Sequence, residues 1–264
     1  MVNKKYTVVT GASSGIGYEV AKAFASRNKN LVLIARREKH LQQLKNEIQK
    51  QNSDIDVVIL PFDLSVKSNV YKIFSTLENF ELETWINNAG FGMYGELDTN
   101  EFDKVEAILR LNIEVVTLFS TLFVKKYKNV EGSQLINVSS AGGYTVVPTA
   151  VVYCATKFFV SAFTEGLSQE LIQSGAKMRA KVLAPAATKT EFGQIANGLD
   201  SYDYDQAFGT YHSSKEVAQF LLDLYDSNHS VGYVNRETFT FKLTENILPY
   251  AGQSQNNQNV ISGE

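Results

Sequence analysis

Two side chains four positions apart, Tyr153 and Lys157, could carry acid/base chemistry. In a helix this spacing puts both on one face. A phenol ordinarily titrates near pH ~10, and an ammonium group fixed beside it stabilises the phenolate and lowers its pKa. The pair predicts a group that gives a proton to a carbonyl oxygen or takes one from an alcohol. Such pairs also arise by chance on helix faces, so the spacing alone is equally compatible with a structural role.

A serine could complete this chemistry. Ser140 follows an apolar run at residues 135–138 that reads as a strand. A hydroxyl group at the end of a strand can hold a substrate oxygen by a hydrogen bond. Because the phenol and this hydroxyl group would polarise a carbonyl by themselves, we predict no metal site.

Residues 10–17 predict a phosphate-binding turn. They read Thr-Gly-Ala-Ser-Ser-Gly-Ile-Gly and directly follow the first predicted strand. Gly11, Gly15 and Gly17 allow a tight turn close to an anion, and the helix start behind them offers free N–H groups. The spacing differs from the usual Gly-x-Gly-x-x-Gly pattern, so a glycine-rich turn without a ligand remains an alternative. Its place after the first strand favours the pyrophosphate of a dinucleotide.

Two arginines indicate which dinucleotide. Arg36 and Arg37 follow the second predicted strand, and no carboxylate stands there before Glu38. An acidic residue at this point would bind the ribose hydroxyls of NAD, whereas arginine suits a 2′-phosphate. The sequence therefore favours NADP, and the alternative is a pair of solvated charges at a helix start.

The elements that must position these residues alternate along the chain. Apolar runs predict strands at residues 6–9, 31–34, 57–60, 85–86, 135–138 and 180–183, and segments of helical period separate them. The alternation predicts an α/β fold, a doubly wound, Rossmann-like parallel sheet with helices on both faces. We expect a single domain over about residues 1–250 and a flexible polar tail at 251–264.

Composition excludes other classes of protein. The 264 residues include 25 basic and 28 acidic side chains, a net charge of −3 without the basic surface of a nucleic-acid binder. No uninterrupted apolar run approaches the ~18–20 residues of a membrane span. The single cysteine, Cys154, cannot form an internal disulfide, which fits a reducing compartment. We expect a soluble, cytoplasmic protein without nucleic-acid or membrane partners.

Four motifs in order resemble the short-chain dehydrogenase/reductase family, over about residues 5–195. They are the glycine turn, Asn-Asn-Ala-Gly at 87–90, Ser140 and the Tyr153/Lys157 pair. The resemblance implies that Tyr153 is the acid/base, that Lys157 lowers its pKa and holds the nicotinamide ribose, and that Ser140 orients the substrate. The family's spacing to the tyrosine selects Ser140 over Ser139. Asn112 matches a family asparagine that supports a water-linked proton path through the lysine.

The resemblance also implies a cofactor site that extends along the strand ends. Asp63 and Leu64 resemble the pair that meets the adenine ring, although Asp63 could simply cap a helix. Ala186 replaces a glycine usual before the nicotinamide-contacting threonines. The residues assigned to the cofactor are Gly11, Ser13, Ser14, Gly15, Ile16, Gly17, Arg36, Arg37, Asp63, Leu64, Asn88, Ala89, Gly90, Tyr153, Lys157, Pro185, Thr188 and Thr190.

Residues 186–212 are predicted to bind substrate. Their later part, 191–212, has no clear period and is rich in aromatic residues, which predicts a lid over an apolar carbonyl compound. The alternative is a partly disordered loop whose aromatic side chains pack on the body. Met93 and Tyr94 could also contact substrate or simply pack their loop.

The combined prediction is an NADPH-dependent oxidoreductase of carbonyl reductase type that acts on a small carbonyl or alcohol substrate. The family's pattern implies a homodimer or homotetramer built on the long helices predicted near residues 100–128 and 152–174. A catalytically silent NADP-binding regulator or scaffold is the alternative from another class. A sugar-nucleotide epimerase fits less well, because the chain lacks the glycine spacing and the additional C-terminal domain of those relatives.

Overall fold

The centre of the structure is an eight-stranded sheet that is parallel except at one edge. This computed structural model describes residues 4–251, so the predicted polar tail lies outside the described residues except for Ala251. The strands are β1 Lys5–Thr10, β2 Asn30–Ile34, β3 Val57–Leu60, β4 Glu81–Asn87, β5 Gln134–Val138, β6 Arg179–Ala184, β7 Thr188–Lys189, β8 His212–Ser213, β9 Val231–Val234 and β10 Phe241–Thr244. The sheet order is β10-β9-β6-β5-β4-β1-β2-β3, and β7 pairs with β8 separately.

Helices cover both faces of the sheet. They are α1 Gly15–Ala25, α2 Glu38–Gln51, α3 Lys67–Thr76, α4 Phe102–Leu109, α5 Val116–Tyr127, α6 Val151–Gln173, α7 Phe192–Asn197, α8 Tyr204–Phe208 and α9 Ser214–Asp226. Val9 packs with α1, α2 and α9, whereas its neighbour Val8 packs with α3, α5 and α6. Burial on both faces explains why the strands read as continuous apolar runs. The predicted doubly wound α/β fold is confirmed.

The strand order reverses at β1, which pairs with β2 on one side and with β4 on the other. In open parallel sheets, ligands bind at the carboxyl ends of the strands where the order reverses. Three predicted segments follow these ends: the glycine turn after β1, Asn88–Gly90 after β4 and Ser140 after β5. The topology therefore brings three of the four motifs to one edge of the sheet.

The helix predicted near residues 100–128 contains a π-helical stretch. Residues Arg110–Val115 form this stretch between α4 and α5. By length and composition alone, the whole helix, Phe102–Tyr127, could cross a membrane, although it has no uninterrupted apolar run. One side of it nevertheless packs on the sheet through Val115, Phe119 and Phe123. Its apolar character is therefore used, at least in part, in the core.

The C-terminal apolar segment is a hairpin and not one extended strand. In the sequence, residues 232–241 read as one final strand and its extension, whereas the structure has two strands, β9 and β10, joined by the turn 235–240. The turn has no glycine or proline to signal it. Phe239 instead adopts a left-handed backbone with a φ of 53°.

The segment predicted to be irregular is ordered. Residues 191–212 contain α7 and α8, and β7 pairs with β8 so that both ends of the segment meet. The Tyr204 ring packs between two others: its centroid lies 5.0 Å from that of Tyr202 and 5.8 Å from that of Phe208. The aromatic residues therefore build a small core of their own. Ser213 and Glu216 form a capping box at the start of α9.

Candidate active site

A cleft of about 950 Å³ opens at the carboxyl edge of the sheet. Every residue assigned to the cofactor lines it except Gly17, and Ser140 lines it as well. Of the four predicted catalytic residues, only Asn112 lies behind its wall. One cavity thus contains the glycine turn at one end and the Tyr153/Lys157 pair at the other.

The glycine turn is bonded to the segment after β4. The Thr10 hydroxyl accepts hydrogen bonds from the backbone N–H groups of Asn88 and Ala89, both at 3.0 Å. The Asn88 side chain donates to the Thr10 carbonyl at 2.9 Å. A side chain at Gly17 would collide with the Asn88 amide and lie 2.5 Å from the Gly11 oxygen. Glycine at position 17 therefore allows the close approach of α1 to this turn. The hydrogen bonds of Thr10 make it a positioning residue, which the sequence analysis did not single out.

The two arginines have different surroundings. Arg37 makes a two-pronged ion pair with Glu191, at 3.1 and 2.8 Å, and donates to the Ser13 hydroxyl at 3.2 Å. The Arg37 guanidinium holds the pKa of Glu191 below its usual range. Arg36 is exposed and has no ion pair within residues 4–251. One guanidinium is therefore available for an anion, and the other already holds a carboxylate.

Asp63 does not cap α3, the alternative considered for it, but bonds within the turn that precedes the helix. Its Oδ1 accepts hydrogen bonds from the backbone and hydroxyl groups of Ser65, at 2.9 and 2.8 Å. These bonds shape the turn into α3, whose cap position is Val66. Asp63 also lines the cleft beside Leu64.

The reacting groups lie on the buried wall of the cleft. Tyr153 and Lys157 stand on the first turns of α6 and are only 8% and 7% exposed. Lys157 Nζ donates to the Val138 carbonyl at 3.0 Å. Ser139, the neighbour of Ser140, instead bonds to the Lys157 carbonyl at 2.9 Å and to Ser161 at 2.8 Å. Ser139 is therefore held in the interior, and Ser140 is the serine associated with the phenol of Tyr153.

The direction predicted for the Tyr153 pKa is wrong in this structure. Burial raises the pKa of Tyr153, and a hydrogen bond with the Ser140 side chain opposes that rise. Burial outweighs any stabilisation of the phenolate by Lys157, whose Nζ bonds to the Val138 carbonyl and lies 5.9 Å from the centre of the tyrosine ring. Burial also lowers the pKa of Lys157 to about 8. Spacing alone could not reveal how strongly both groups are removed from water.

Asn112 lies in the π-helical stretch and is 1% exposed. Its side-chain amide donates to the Phe91 carbonyl and the Thr156 hydroxyl, both at 3.0 Å. A side-chain carbon at Gly90 would lie 2.9 Å from Asn112 Oδ1 and 3.6 Å from Lys157 Nζ. Asn112 therefore holds the segment after β4 against α6, close to the lysine.

Ala186 causes no backbone strain, because no residue near it has a positive φ. The Thr188 hydroxyl donates to the Ala186 carbonyl at 2.9 Å, and Thr190 accepts the backbone N–H of Phe192 at 3.1 Å. These bonds fix the start of α7. The Phe192 ring in turn packs on Tyr153, with centroids 5.3 Å apart.

The other half of the cleft has an aromatic wall. Besides Phe192, its lining includes Tyr94, Tyr202, Tyr204, Phe208 and Phe239. Tyr211, another aromatic residue of the segment 191–212, instead bonds to Asp205 at 2.7 Å and is not part of the wall. The arrangement suits a largely apolar molecule whose reactive oxygen meets Tyr153 and Ser140.

Known proteins resemble this chain in sequence and in fold. A family model described as short chain dehydrogenase matches residues 5–198. An uncharacterized oxidoreductase of Staphylococcus saprophyticus is 32% identical over 210 residues, which cover 78% of this chain and 84% of that protein. Dehydrogenase/reductase SDR family member 11 of Gallus gallus is 31% identical over 236 residues, which cover 87% of this chain and 89% of that protein. A short-chain dehydrogenase from Sphingobium yanoikuyae, solved in complex with NADPH, has a TM-score of 0.78 and 28% identity over 86% of each chain.

Proposed function

The chain belongs to the short-chain dehydrogenase/reductase family, and from this premise we propose that it is an NADPH-dependent oxidoreductase of carbonyl reductase type. The observation that carries the proposal is the meeting of Ser140, Tyr153 and Lys157 on the wall of a cleft that also contains the glycine turn. The test is to follow NADPH absorbance over aldehydes, diketones, sugars, acyl thioesters and steroids. Consumption of NADPH with one of these classes is the expected result, and tight NADPH binding without turnover on any of them would favour the regulator.

The described residues fit a dinucleotide. Gly11 and Gly15 have positive φ angles of 69° and 56°, and side chains at Gly11 or Gly17 would collide with the Asn88 segment. This leaves the backbone next to the α1 N-terminus accessible to a pyrophosphate. When bound, the nicotinamide supplies or accepts the hydride. Thr188 and Thr190 would hold its amide, and Asp63 with Leu64 would face the adenine ring.

Replacing Gly17 by alanine is expected to weaken NADPH binding at least ~5-fold, because overpacking of this kind typically costs ~1–3 kcal/mol. The added carbon would meet Asn88 and the Gly11 oxygen, so α1 must move away from the turn. Calorimetric titration with NADPH measures the effect. Gly166→Ala is the matched control, since this second helical glycine has open space around it. Equal Kd values for both variants would contradict the role of Gly17.

Arg36 supports NADP over NAD, because its guanidinium has no acidic partner in the described part of the chain. Arg37 would add a second cation only when it separates from Glu191. Glu191 therefore competes with a 2′-phosphate for the same guanidinium group. A carboxylate and a phosphate oxygen take the same two-pronged geometry on arginine.

Glu191→Gln is expected to tighten NADP⁺ binding by ~2–5-fold, because an exposed ion pair is worth ~0.2–1 kcal/mol and the variant frees Arg37. The Kd for NAD⁺ is expected to stay unchanged, since NAD⁺ has no 2′-phosphate. Titrations with both cofactors measure the difference, and Glu78→Gln, an exposed change outside the cleft, is the control. Equal tightening for NAD⁺ and NADP⁺ would show that Glu191 acts in another way.

In the reaction that we propose, Tyr153 gives its proton to the carbonyl oxygen, or takes one from an alcohol. Its raised pKa keeps the phenol protonated at neutral pH, ready to donate. Ser140 hydrogen-bonds the same substrate oxygen. Lys157 stabilises the phenolate that remains, and Asn112 holds the neighbouring segment so that a proton can return through the lysine.

We also infer a cytoplasmic homodimer or homotetramer. The support for an oligomer is that both α5 and α6 carry partly exposed apolar side chains: Leu118, Leu122, Phe159 and Phe163. The rings of Phe159 and Phe163 stack with centroids 5.7 Å apart. A second copy of the chain would cover these side chains.

A further inference from the structure

An arginine stands in the aromatic half of the cleft. Because β9 runs parallel to β6, its carboxyl end lies at the same edge of the sheet as the cleft. The turn 235–240 then leads back into the antiparallel strand β10. This extension of the sheet brings Arg236 and Phe239 into the lining of the cleft.

The turn that carries Arg236 is held by its own hydrogen bonds. The Asn235 side chain accepts the backbone N–H groups of Glu237 and Thr238, at 2.9 and 3.0 Å. The backbone of Asn235 bonds to Thr240 and Phe239, at 3.0 and 2.9 Å. The position of Arg236 at the cleft is thus set by the hairpin.

The charges in this half of the cleft are not balanced. Arg236 makes no ion pair or hydrogen bond with any residue between 4 and 251. The acidic residues that line the cleft, Asp63 and Glu191, lie in the cofactor half, where they bond to Ser65 and Arg37. A guanidinium that lines the cleft, is open to solvent and has no carboxylate partner among the described residues can bind an anion.

Tyr94 lines the same cleft as Arg236 and the reacting tyrosine. It interacts electrostatically with Arg236 on one side and with Tyr153 on the other. Its ring lines the cleft, and its hydroxyl group has no hydrogen-bond partner in the described range. The hydroxyl group is therefore free to donate to a ligand beside Arg236.

We propose that Arg236 and Tyr94 form an anion subsite, so that the substrate is an aldehyde, ketone or alcohol whose apolar body ends in a carboxylate. The reactive oxygen would meet Tyr153 and Ser140, and the carboxylate would pair with Arg236. The apolar body would lie between them along Phe192, in the aromatic half of the cleft. This inference rests on the proposed function and gives it a substrate class.

The kinetic test uses aldehyde acids of increasing length, from 4-carboxybenzaldehyde to 4′-formylbiphenyl-4-carboxylate, each paired with its methyl ester. The unmodified enzyme is expected to prefer at least one acid over its ester by ~10-fold or more in kcat/KM, because a hydrogen bond to a charged group strengthens binding by about this factor. Arg236→Met should remove this preference mainly through KM and leave the esters unchanged, and Arg236→Lys should keep part of it. Arg179→Met, at the opposite edge of the sheet, is the matched control.

A binding measurement separates this inference from the proposed function. Calorimetry with the unreactive acids of the same lengths, in which a methyl group replaces the aldehyde, requires no turnover. Arg236→Met should raise the Kd of the acid that binds best by ~10-fold and leave its methyl ester unaffected. An enzyme that reduces carbonyl compounds but shows no preference for any acid, or a variant that weakens acids and esters equally, would overturn the subsite.

Discussion

Tyr153→Phe is expected to lower turnover of a carbonyl substrate at least ~10²-fold while NADPH binds as before, because only the proton donor is removed. The phenol is buried on the cleft wall and associates with the Ser140 side chain. The phenylalanine ring keeps the packing on Phe192. Steady-state rates of NADPH oxidation, together with a calorimetric Kd for NADPH, separate the loss of chemistry from a loss of binding.

Tyr71→Phe is the matched control for this change. Tyr71 is a half-exposed tyrosine on α3 outside the cleft, so the same deletion of one oxygen should leave turnover unaltered. A Tyr153→Phe variant that kept most of its turnover would remove Tyr153 from the acid/base role.

Lys157→Met is expected to reduce turnover by at least ~10²-fold, because the phenolate formed at Tyr153 loses the cation that stabilises it. Methionine retains the apolar stem of the lysine but also leaves the Val138 carbonyl without its donor, at a cost of ~1–3 kcal/mol in the free energy of unfolding. Thermal unfolding in the same buffer reports this second effect. NADPH binding is expected to weaken as well, since Lys157 would hold the nicotinamide ribose.

The pH profile distinguishes the charge of Lys157 from a merely structural role. Its pKa is lowered to about 8 by burial, so the ammonium form is present below that pH and is lost as the pH rises through it. The kcat/KM for carbonyl reduction should therefore be level at lower pH and fall above about pH 8. The residual rate of Lys157→Met should lack this fall. Lys215→Met, an exposed change on α9, should behave like the unmodified enzyme, and a fall that persisted in Lys157→Met would assign it to another group.

The fold was largely predictable because its strands are buried on both faces and carry a local signal. The apolar runs at β1, β2, β3, β5 and β6 match observed strands to within a few residues. Elements without such a signal were missed or shortened. The helices α7 and α8 have six and five residues, too few to show a helical period. The turn between β9 and β10 uses Phe239 at a positive φ where glycine would have announced it.

The candidate site was also predictable only in part. Residues within local motifs, such as the glycine turn and the Tyr153/Lys157 pair, were brought to one cleft by the strand topology. Contacts between distant parts of the chain had no sequence signal, and the ion pair of Arg37 with Glu191 joins residues 154 positions apart. The raised pKa of Tyr153 has the same origin, since burial is set by the packing of several elements.

A crystal structure with NADP⁺ bound tests most directly whether Tyr153 acts on a substrate held beside the nicotinamide. We expect the pyrophosphate at residues 11–17, and the nicotinamide ring on the side of the cleft that carries the Tyr153 phenol and the Ser140 hydroxyl. A nicotinamide bound away from these two groups, or a cleft that admits no dinucleotide, would contradict the proposed chemistry.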